Sequence, residues 1–366
     1  MLRSITRVSG RWALAFSACL WSGCSEEVSP YLQTPVQALE YLREQSPKVV
    51  YFNGPAHWAL VRANPSWLAA SDRDPKGEHV RAMAQAVQDP KLFRQLDRQD
   101  HFDALLLAGD PGQYKPLVDH LVKTGDWALE WVDAYCLIYK RGSAETISME
   151  RIRSVTKSWE TLSAPVQASL LAALSEHLVA ARRGEAAREM LDRALGLAPN
   201  SAAVLTAEGG FRLARGEWGQ AVDASNKALS ANRKYRPALS VKAQGLYFSK
   251  RFGEAYEISS QLLRDSPNDP VMLFAHAKIA HEVRAFQEEI GVLQKLIGIV
   301  DKVGRSTSWY RVYLGQACAF KGDGEGAVRE LELALKDPEL PAEQREFAED
   351  ALQRVVSKIG GAPSHK

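Results

Sequence analysis

A small residue returns every 34 positions, at Ala187, Ala221 and Ala255, and Glu289 stands in the next place. Seven residues further on, a second series runs Ala194, Ala228, Leu262 and Leu296 at the same interval. A period in this range belongs to a stack of helical hairpins, in which each unit buries its apolar face against its neighbours. The short side chains fit that reading, because the distance between two packed helices is set by the side chains at the contact. Aligned on these anchors, the chain gives five units beginning near Ala168, Ala202, Arg236, Pro270 and Ser308. The fifth is delayed by four residues inserted around Asp301 to Ser306 and has its anchors at Ala327 and Ala334.

Gly184, Trp218, Phe252, Phe286 and Gly324 stand three places before the first anchor, where the second helix of each unit should start. Pro199 and Pro267 close units one and three, and Pro338 nearly closes unit five; proline there stops a helix and opens the next turn. Within units, apolar residues recur at helical spacing, as in Leu171, Leu174 and Leu178, then Leu191 and Leu195.

These features together resemble the tetratricopeptide repeat (TPR), whose 34-residue helix-turn-helix unit carries small residues at fixed places and a closing proline. Gly209, Gly216, Trp218, Ala221 and Ala228 make the second unit the best match, and the resemblance covers roughly residues 168 to 338. Unit four departs from it at Glu289, and no unit has the family's Trp at its fourth position. The resemblance implies an all-α superhelical solenoid over residues 167–340, with a capping helix at 341–358 and a disordered tail at 359–366.

It also implies a concave groove lined by the first helix of each unit. The corresponding places here hold Glu176, Thr206, Leu213, Gln244, Tyr247, Phe248, Phe274, Lys278, His281, Trp309, Val312 and Gln316. The Lys and Asn set by which some family members clamp a partner's terminal carboxylate is missing. Bulky aromatics on one face suit an apolar helix or an extended peptide. Of these residues, Tyr247, Phe274, Lys278, His281, Trp309, Val312 and Gln316 form the expected partner surface. Two alternatives stand beside it: Tyr247, Phe248 and Phe274 pack between hairpins, or the chain's own N-terminal domain docks in the groove.

At the N-terminus, Arg3, Arg7 and Arg11 precede the apolar stretch Trp12 to Leu20, which is too short to span a bilayer and is followed by the small residues Ser22-Gly23-Cys24. This is the pattern of a secretory signal. Leu20-Trp21-Ser22-Gly23-Cys24 resembles the bacterial lipoprotein box, although Trp21 replaces the usual aliphatic residue. The resemblance implies a signal peptide at 1–23, lipidation (palmitate) of Cys24 and a tether at 24–33. A plain secreted protein, or cleavage near Cys19, is the alternative. Ser25 stands where an inner-membrane retention signal would show Asp, which implies the outer membrane, facing the periplasm. A triacylated Cys supplies the more than one acyl chain that stable anchoring needs.

The segment 34–145 changes period. Lys48 to Phe52 reads as a strand and Ala56 to Ala63 as a helix; Trp67 to Ser71 is a second strand. Glu78 to Gln99 is helical with a break at Pro90, Phe102 to Ala108 is a third strand, and Gln113 to Thr124 is helical again. Trp127 to Val132 and Tyr135 to Tyr139 form a closing strand pair, and 146–166 is a connecting helical stretch. Alternation of this kind predicts a three-layer α/β domain with a mainly parallel sheet. Val50 to Gly54, Ser71-Asp72-Arg73, Phe102 to Leu107 and Trp127 to Arg141 faintly resemble the soluble extracytoplasmic domain of integral-membrane glycosyltransferases. That family holds its catalytic acids in a membrane-embedded part, so the resemblance implies no catalysis here.

The 366 residues carry 46 basic and 44 acidic side chains and a formal charge of +2. Neither that balance nor any Lys/Arg block with interleaved aromatics supports nucleic-acid binding. Cys136 and Cys318 read as buried lone thiols, a bridge between them being the alternative, and no Cys/His spacing suits zinc. Asn53, Asp72, Asp74 and Asp110 fall beyond strand ends, where α/β sheets bind ligands, and the carboxylates could hold a hard cation or divide acid and base roles. The same residues also cap helices and start turns, as in Asp74-Pro75 and Asp110-Pro111-Gly112. His57, His79 and His101 lie in the same segment without a nucleophile signature. Gly322 to Gly326 lacks the Lys-Ser/Thr of a phosphate loop and belongs to the turn of unit five. The expected protein is a lipid-anchored periplasmic adaptor for an envelope protein, with no cofactor and no reaction of its own. The alternative is a small-ligand or glycan-processing protein using the acidic rim.

Overall fold

The computed structural model describes residues 36–53, 78–142, 147–302, 306–338, 340 and 342–360. Cys24, Asp72, Asp74, His57, the helix expected at Ala56 to Ala63, the strand at Trp67 to Ser71 and the 361–366 tail lie outside them. The chain divides into two compact units, residues 1–245 and 246–366.

The first unit opens with α1 (Val36–Gln45), β1 (Val50–Phe52), α2 (Glu78–Ala86), α3 (Pro90–Asp100), β2 (Ala104–Ala108), α4 (Pro111–Thr124), β3 (Trp127–Val132) and β4 (Cys136–Arg141). The strands form one sheet in the order β1-β2-β4-β3. Only β1 and β2 run parallel; β4 is antiparallel to both β2 and β3. The mainly parallel sheet expected from the alternation is thus not what the described strands form. The cause is the connection between β3 and β4, which is far too short for a crossover and closes an antiparallel hairpin. Asp133 fixes that turn, accepting from Trp131 Nε1 (3.0 Å), Tyr135 N (2.8 Å) and Cys136 N (3.0 Å).

Successive strand residues face opposite sides. Val50, Phe52, Leu106 and Ile138 meet Leu39 and Leu42 of α1 on one face. Tyr51, Leu105, Leu107, Leu137 and Tyr139 meet Phe93, Leu117 and Leu121 of α3 and α4 on the other. Every residue of β2 is buried, as it must be with both faces covered.

The rest of unit one is α5 (Met149–Lys157), a short 3-10 turn, α6 (Ala164–Ala180), α7 (Gly184–Leu197), α8 (Ala202–Ala214), α9 (Trp218–Ala231) and α10 (Arg236–Phe248) up to Gly245. The apolar cluster beneath the sheet continues into the first repeat through Leu171, Leu174, Met190 and Leu191. A buried polar lock sits in the same core: the Tyr114 hydroxyl bonds His177 Nδ1, and burial holds His177 down at about 3, keeping it neutral. Unit two holds α11 (Phe252–Asp265), α12 (Pro270–Glu282), α13 (Phe286–Lys302), α14 (Ser308–Lys321), α15 (Gly324–Leu335) and the capping helix α16 (Ala342–Gly360).

Each hairpin turns in the same way. Arg182, Gly216, Lys250, Arg284 and Gly322 all have positive φ, between 61° and 92°, and they recur at the sequence period. The next residue's N–H reaches back to a first-helix carbonyl: Arg183 to Leu178 O (2.8 Å), Glu217 to Arg212 O (2.9 Å), Arg251 to Leu246 O (2.8 Å), Ala285 to Ala280 O (2.8 Å) and Asp323 to Cys318 O (2.9 Å). This is the Schellman C-cap, which satisfies the last carbonyls of the first helix and reverses the chain. It also accounts for Gly322 to Gly326, whose Asp323 then caps α15 through Gly326 N at 2.8 Å.

Helix packing explains the small residues. A Cβ on Gly315 would lie 2.7 Å from Leu331 Cγ and 3.2 Å from the carbonyl of Ala327, the first anchor of its hairpin. Gly209 stands equivalently, 2.8 Å from Val241 Cγ1 and 3.4 Å from the carbonyl of Ala221. Gly291, inside α13, would meet nothing within 4 Å. Gly315→Ala should therefore destabilise the protein by about 1–3 kcal/mol through overpacking, whereas Gly291→Ala should stabilise it by up to about 1 kcal/mol through helix propensity. Denaturant melts of both variants check the contrast, and equal shifts would contradict the close-approach account.

Candidate functional site

Two places in the fold gather side chains with unmet or strained polar character, one in each unit.

In unit one a partly open cavity of about 70 Å³ lies between the N-terminal end of α4 and the first helices of the first three repeats. Asp110 and Lys115 come from the α4 side, Glu176 and Val179 from α6, Thr206 and Phe211 from α8, and Val241 and Gln244 from α10. Asp110 caps α4: its Oδ1 accepts from Gly112 N at 2.8 Å. Its other oxygen is buried and has no hydrogen-bond partner among the described residues. Burial pushes the carboxyl up to about 8, against the Gly112 bond and with the help of the Glu176 charge. Gln244 is 2% exposed, and both its amide oxygen and its amide nitrogen lack partners among the described residues. Thr206 donates to Ala202 O at 2.7 Å, which leaves its oxygen as an acceptor.

The sequence placed Asp110 on an acidic rim and Glu176, Thr206 and Gln244 in a repeat groove; the fold brings them to one cavity. Asn53 is elsewhere engaged. Its amide donates to Ala108 O and its oxygen accepts from Ala108 N, both at 2.9 Å, so it extends the β1–β2 pairing. His79 lies 3.0 Å from Asp100 Oδ2, and His101 takes the left-handed C-cap of α3.

In unit two, the first helices present Tyr247 (α10), Phe274 and Lys278 (α12), and Trp309 and Tyr313 (α14), all half-buried. Phe274 meets Tyr310 and Tyr313 edge-on, with centroids 5.2 and 5.1 Å apart, and Trp309 meets Tyr313 at 4.8 Å. Lys278 Nζ stands over the Tyr247 ring at 5.5 Å and over Phe274 at 6.0 Å. Burial pushes this ammonium down, with the charge of Glu282 opposing it. Burial and Glu282 together push the Tyr247 hydroxyl up to about 12. Gln316 is half-buried on the same helix as Trp309. Val312 is 1% exposed and packs against Leu331, Ala334, Leu340 and Ala348, so it belongs to the core and gives a partner no surface. Tyr313 was not among the expected groove residues, because it falls one place beyond the repeat's usual inward position.

His281 is taken up by the anomaly of unit four. Glu289, in the place of the alanine anchor, is 1% exposed, and both its oxygens meet His281 Nδ1, at 3.0 and 3.1 Å. His281 is covered in turn by Phe286 and Phe320, with centroids 5.7 and 5.1 Å away. Burial pulls the imidazole down, but the Glu289 bond and charge prevail and raise it. Burial raises Glu289 despite its partner. Elsewhere in this unit His276 is fully buried, between Ser259 Oγ (2.8 Å) and Glu288 Oε1 (2.9 Å). Cys136 and Cys318 are free, buried thiols, and burial raises both. No group of three or more His, Cys, Asp or Glu suited to a metal ion occurs among the described residues.

No family model matches the chain, and no curated protein matches it. Solved structures that it resembles include TPR proteins. One is PilF of Pseudomonas aeruginosa, with 15% identity, 66% of this chain and 97% of that chain covered, and a TM-score of 0.44. Another is YrrB, a TPR protein with an unusual peptide-binding site, with 17% identity, 57% and 100% covered, and a TM-score of 0.43. A third is a thermophilic TPR protein of Thermus thermophilus, with 16% identity, 51% and 99% covered, and a TM-score of 0.40. All three scores lie below 0.5, and the hairpin array is defined by its own turns and helix packing.

Removing one partner of a buried ion pair costs about 3–5 kcal/mol, while replacing the charges by a well-packed apolar group is often neutral or better. His281→Ala should therefore destabilise far more than Glu289→Ala, which restores the anchor of the other repeats. Both raised groups favour the protonated state of the fold. The His281 contribution is complete below its ordinary value and is lost as pH rises through the raised one; the cost of ionising Glu289 grows over its own range. As pH rises from the ordinary carboxylate range through the ordinary imidazole value, wild type should lose stability more steeply than Glu289→Ala. Parallel slopes in urea melts would contradict the pairing.

Proposed function

We propose that this protein is a TPR-type adaptor that holds a partner protein on the first-helix surface around Tyr247, Phe274, Lys278 and Trp309. The observation that supports this reading is Lys278, whose cation lies half-buried between two aromatic rings at 5.5 and 6.0 Å. Half-exposed aromatic rings are strong interface anchors, and a partly desolvated ammonium among them forms a strong bond with an incoming carboxylate or backbone carbonyl. Such a surface suits a helix or an extended peptide with an acceptor set among apolar side chains. Gln316 extends it along α14. His281 stays outside it, since Glu289, Phe286 and Phe320 occupy its ring.

The adaptor is placed in the bacterial envelope, lipidated at Cys24 and tethered through residues 24–33 to the outer membrane, with its bulk in the periplasm. The support for this is the basic start, the short apolar core and the Leu20 to Cys24 box. The partner is accordingly an envelope protein.

Two measurements test these statements. Crosslinked capture from envelope extracts should yield a defined partner with the wild-type chain and lose it with a folded Tyr247→Ala, Trp309→Ala variant, while a Leu333→Ala control keeps it. Equal capture by all three would remove the groove from the account. Labelled palmitate should enter the wild-type chain and be absent from Cys24→Ser; label retained in that variant would overturn the anchor at this residue.

A further inference from the structure

We propose that the cavity between α4 and the first helices of repeats one to three binds an alkylammonium group, the charged end of a lysine-like chain. The inference is independent of the adaptor surface, which lies in the other unit, and rests on what the cavity wall can and cannot satisfy.

Gln244 is 2% exposed with neither end of its amide bonded, and Asp110 Oδ2 is buried and unbonded among the described residues. A buried polar group left unpaired forfeits its hydration without a replacement, so something of matching chemistry should fill the space beside them. Once Asp110 is ionised, acceptors dominate the wall. Asp110, Gln244, Thr206 and Glu176 all line it; Asp110 Oδ2, Gln244 Oε1 and the Thr206 oxygen can accept, and with Asp110 ionised Gln244 Nε2 is the one donor without a partner among these four side chains. Lys115 also lines the cavity, but its ammonium is engaged by Asp119, which in turn holds Arg182 at 2.7 Å. A ligand complementary to this wall is rich in donors and positively charged; an ammonium offers three donors and no acceptor.

The remaining wall is apolar. Val179, Ala180, Ala207, Phe211, Pro237 and Val241 close it, which suits a stem of methylenes behind the charged head. A volume near 70 Å³ holds several waters or one slender chain, and is about half of the cavity known to admit benzene. Glu176 on α6 and Asp110 at the start of α4 place their carboxyls close enough for one to disturb the other's ionisation. A cation between two such carboxyls relieves their repulsion, as a second carboxylate cannot.

Binding should carry a proton linkage. The titratable groups that line the cavity with Asp110 are Lys115 from α4 and Glu176 from α6, Tyr114 of α4 interacts with Asp110 and is itself held by His177 of α6, and α8 and α10 add none to the cavity wall. Tyr114 and His177 are bonded to each other and stay neutral near pH 7. Asp110 is therefore the group that must give up its proton when the cation arrives.

The test is a titration of the full chain, followed by calorimetry, with n-butylammonium chloride as probe and 1-butanol and sodium butyrate as neutral and anionic counterparts. Butylammonium should bind and butyrate should not, and butanol should bind at least about tenfold more weakly than butylammonium. Asp110→Asn preserves shape and the bond to Gly112 and should weaken butylammonium by about tenfold or more; a folded Gln244→Leu should do likewise. Wild-type affinity should rise about tenfold per pH unit up to about pH 8 and then level off, and Asp110→Asn should remove that slope. An acetylated, lysine-centred tripeptide amide separates the sources: tighter binding than butylammonium points to a protein chain, equal or weaker binding to a free amine. The proposal is overturned if butanol matches butylammonium, if a folded Asp110→Asn keeps wild-type affinity, or if no probe binds.

Discussion

How closely the two helices of a hairpin approach is the constraint on which the array depends. At Gly315 a single added carbon would sit 3.2 Å from the Ala327 carbonyl, and at Gly209 it would sit 3.4 Å from that of Ala221. Those distances fix why the anchors are small and why they recur in step with the turn. Given close packing and a Schellman reversal that sets the length of the first helix, each unit must present its larger side chains at the same few places. The surfaces of interest, at Tyr247, Phe274, Lys278 and Trp309 and at Thr206 and Gln244, are products of that repetition.

Against this regular frame the departures carry the chemistry. An alanine anchor becomes Glu289 and is tolerated because His281 approaches it from the preceding helix at 3.0 Å. A helix cap, Asp110, keeps one oxygen for Gly112 and leaves the other without a partner among the described residues, in a cavity. Burial works on both carboxyls in the same sense, and the outcome differs with what stands opposite. Glu289 has a cation and becomes structural. Asp110 shares a cavity with Glu176 and with the Gln244 amide, which has no partner among the described residues.

The repeat period was legible because it is local: anchors, closing prolines and aromatics at the second-helix start all lie within one 34-residue unit. The sheet was legible strand by strand for the same reason, since Lys48 to Phe52, Phe102 to Ala108 and Trp127 to Val132 are each self-contained apolar runs. Its strand order was not, because the placement of β4 between β2 and β3 is a long-range choice that alternation does not encode. Val312 misled because the inward places of a repeat unit become core wherever a capping helix such as α16 covers them. Asp110 and Gln244 were each visible as candidates, one by its turn and one by its repeat position. Their meeting across 134 residues of chain was not, since nothing in a periodic pattern says which helix the N-terminal segment will face. The left-handed Arg182, Lys250 and Arg284 were hidden for a related reason: glycine marks that position in only two of the five turns.

The claim that most needs direct measurement is that partner contact is made by the first helices of the repeats. A photocrosslinking residue placed in living cells at Gln316, on α14, reports contact there, and the same residue at Leu333, on α15, reports the second helix. The account predicts a discrete crosslinked partner from position 316 and none from position 333. Crosslinks from 333 alone, or the same products from both, would contradict it.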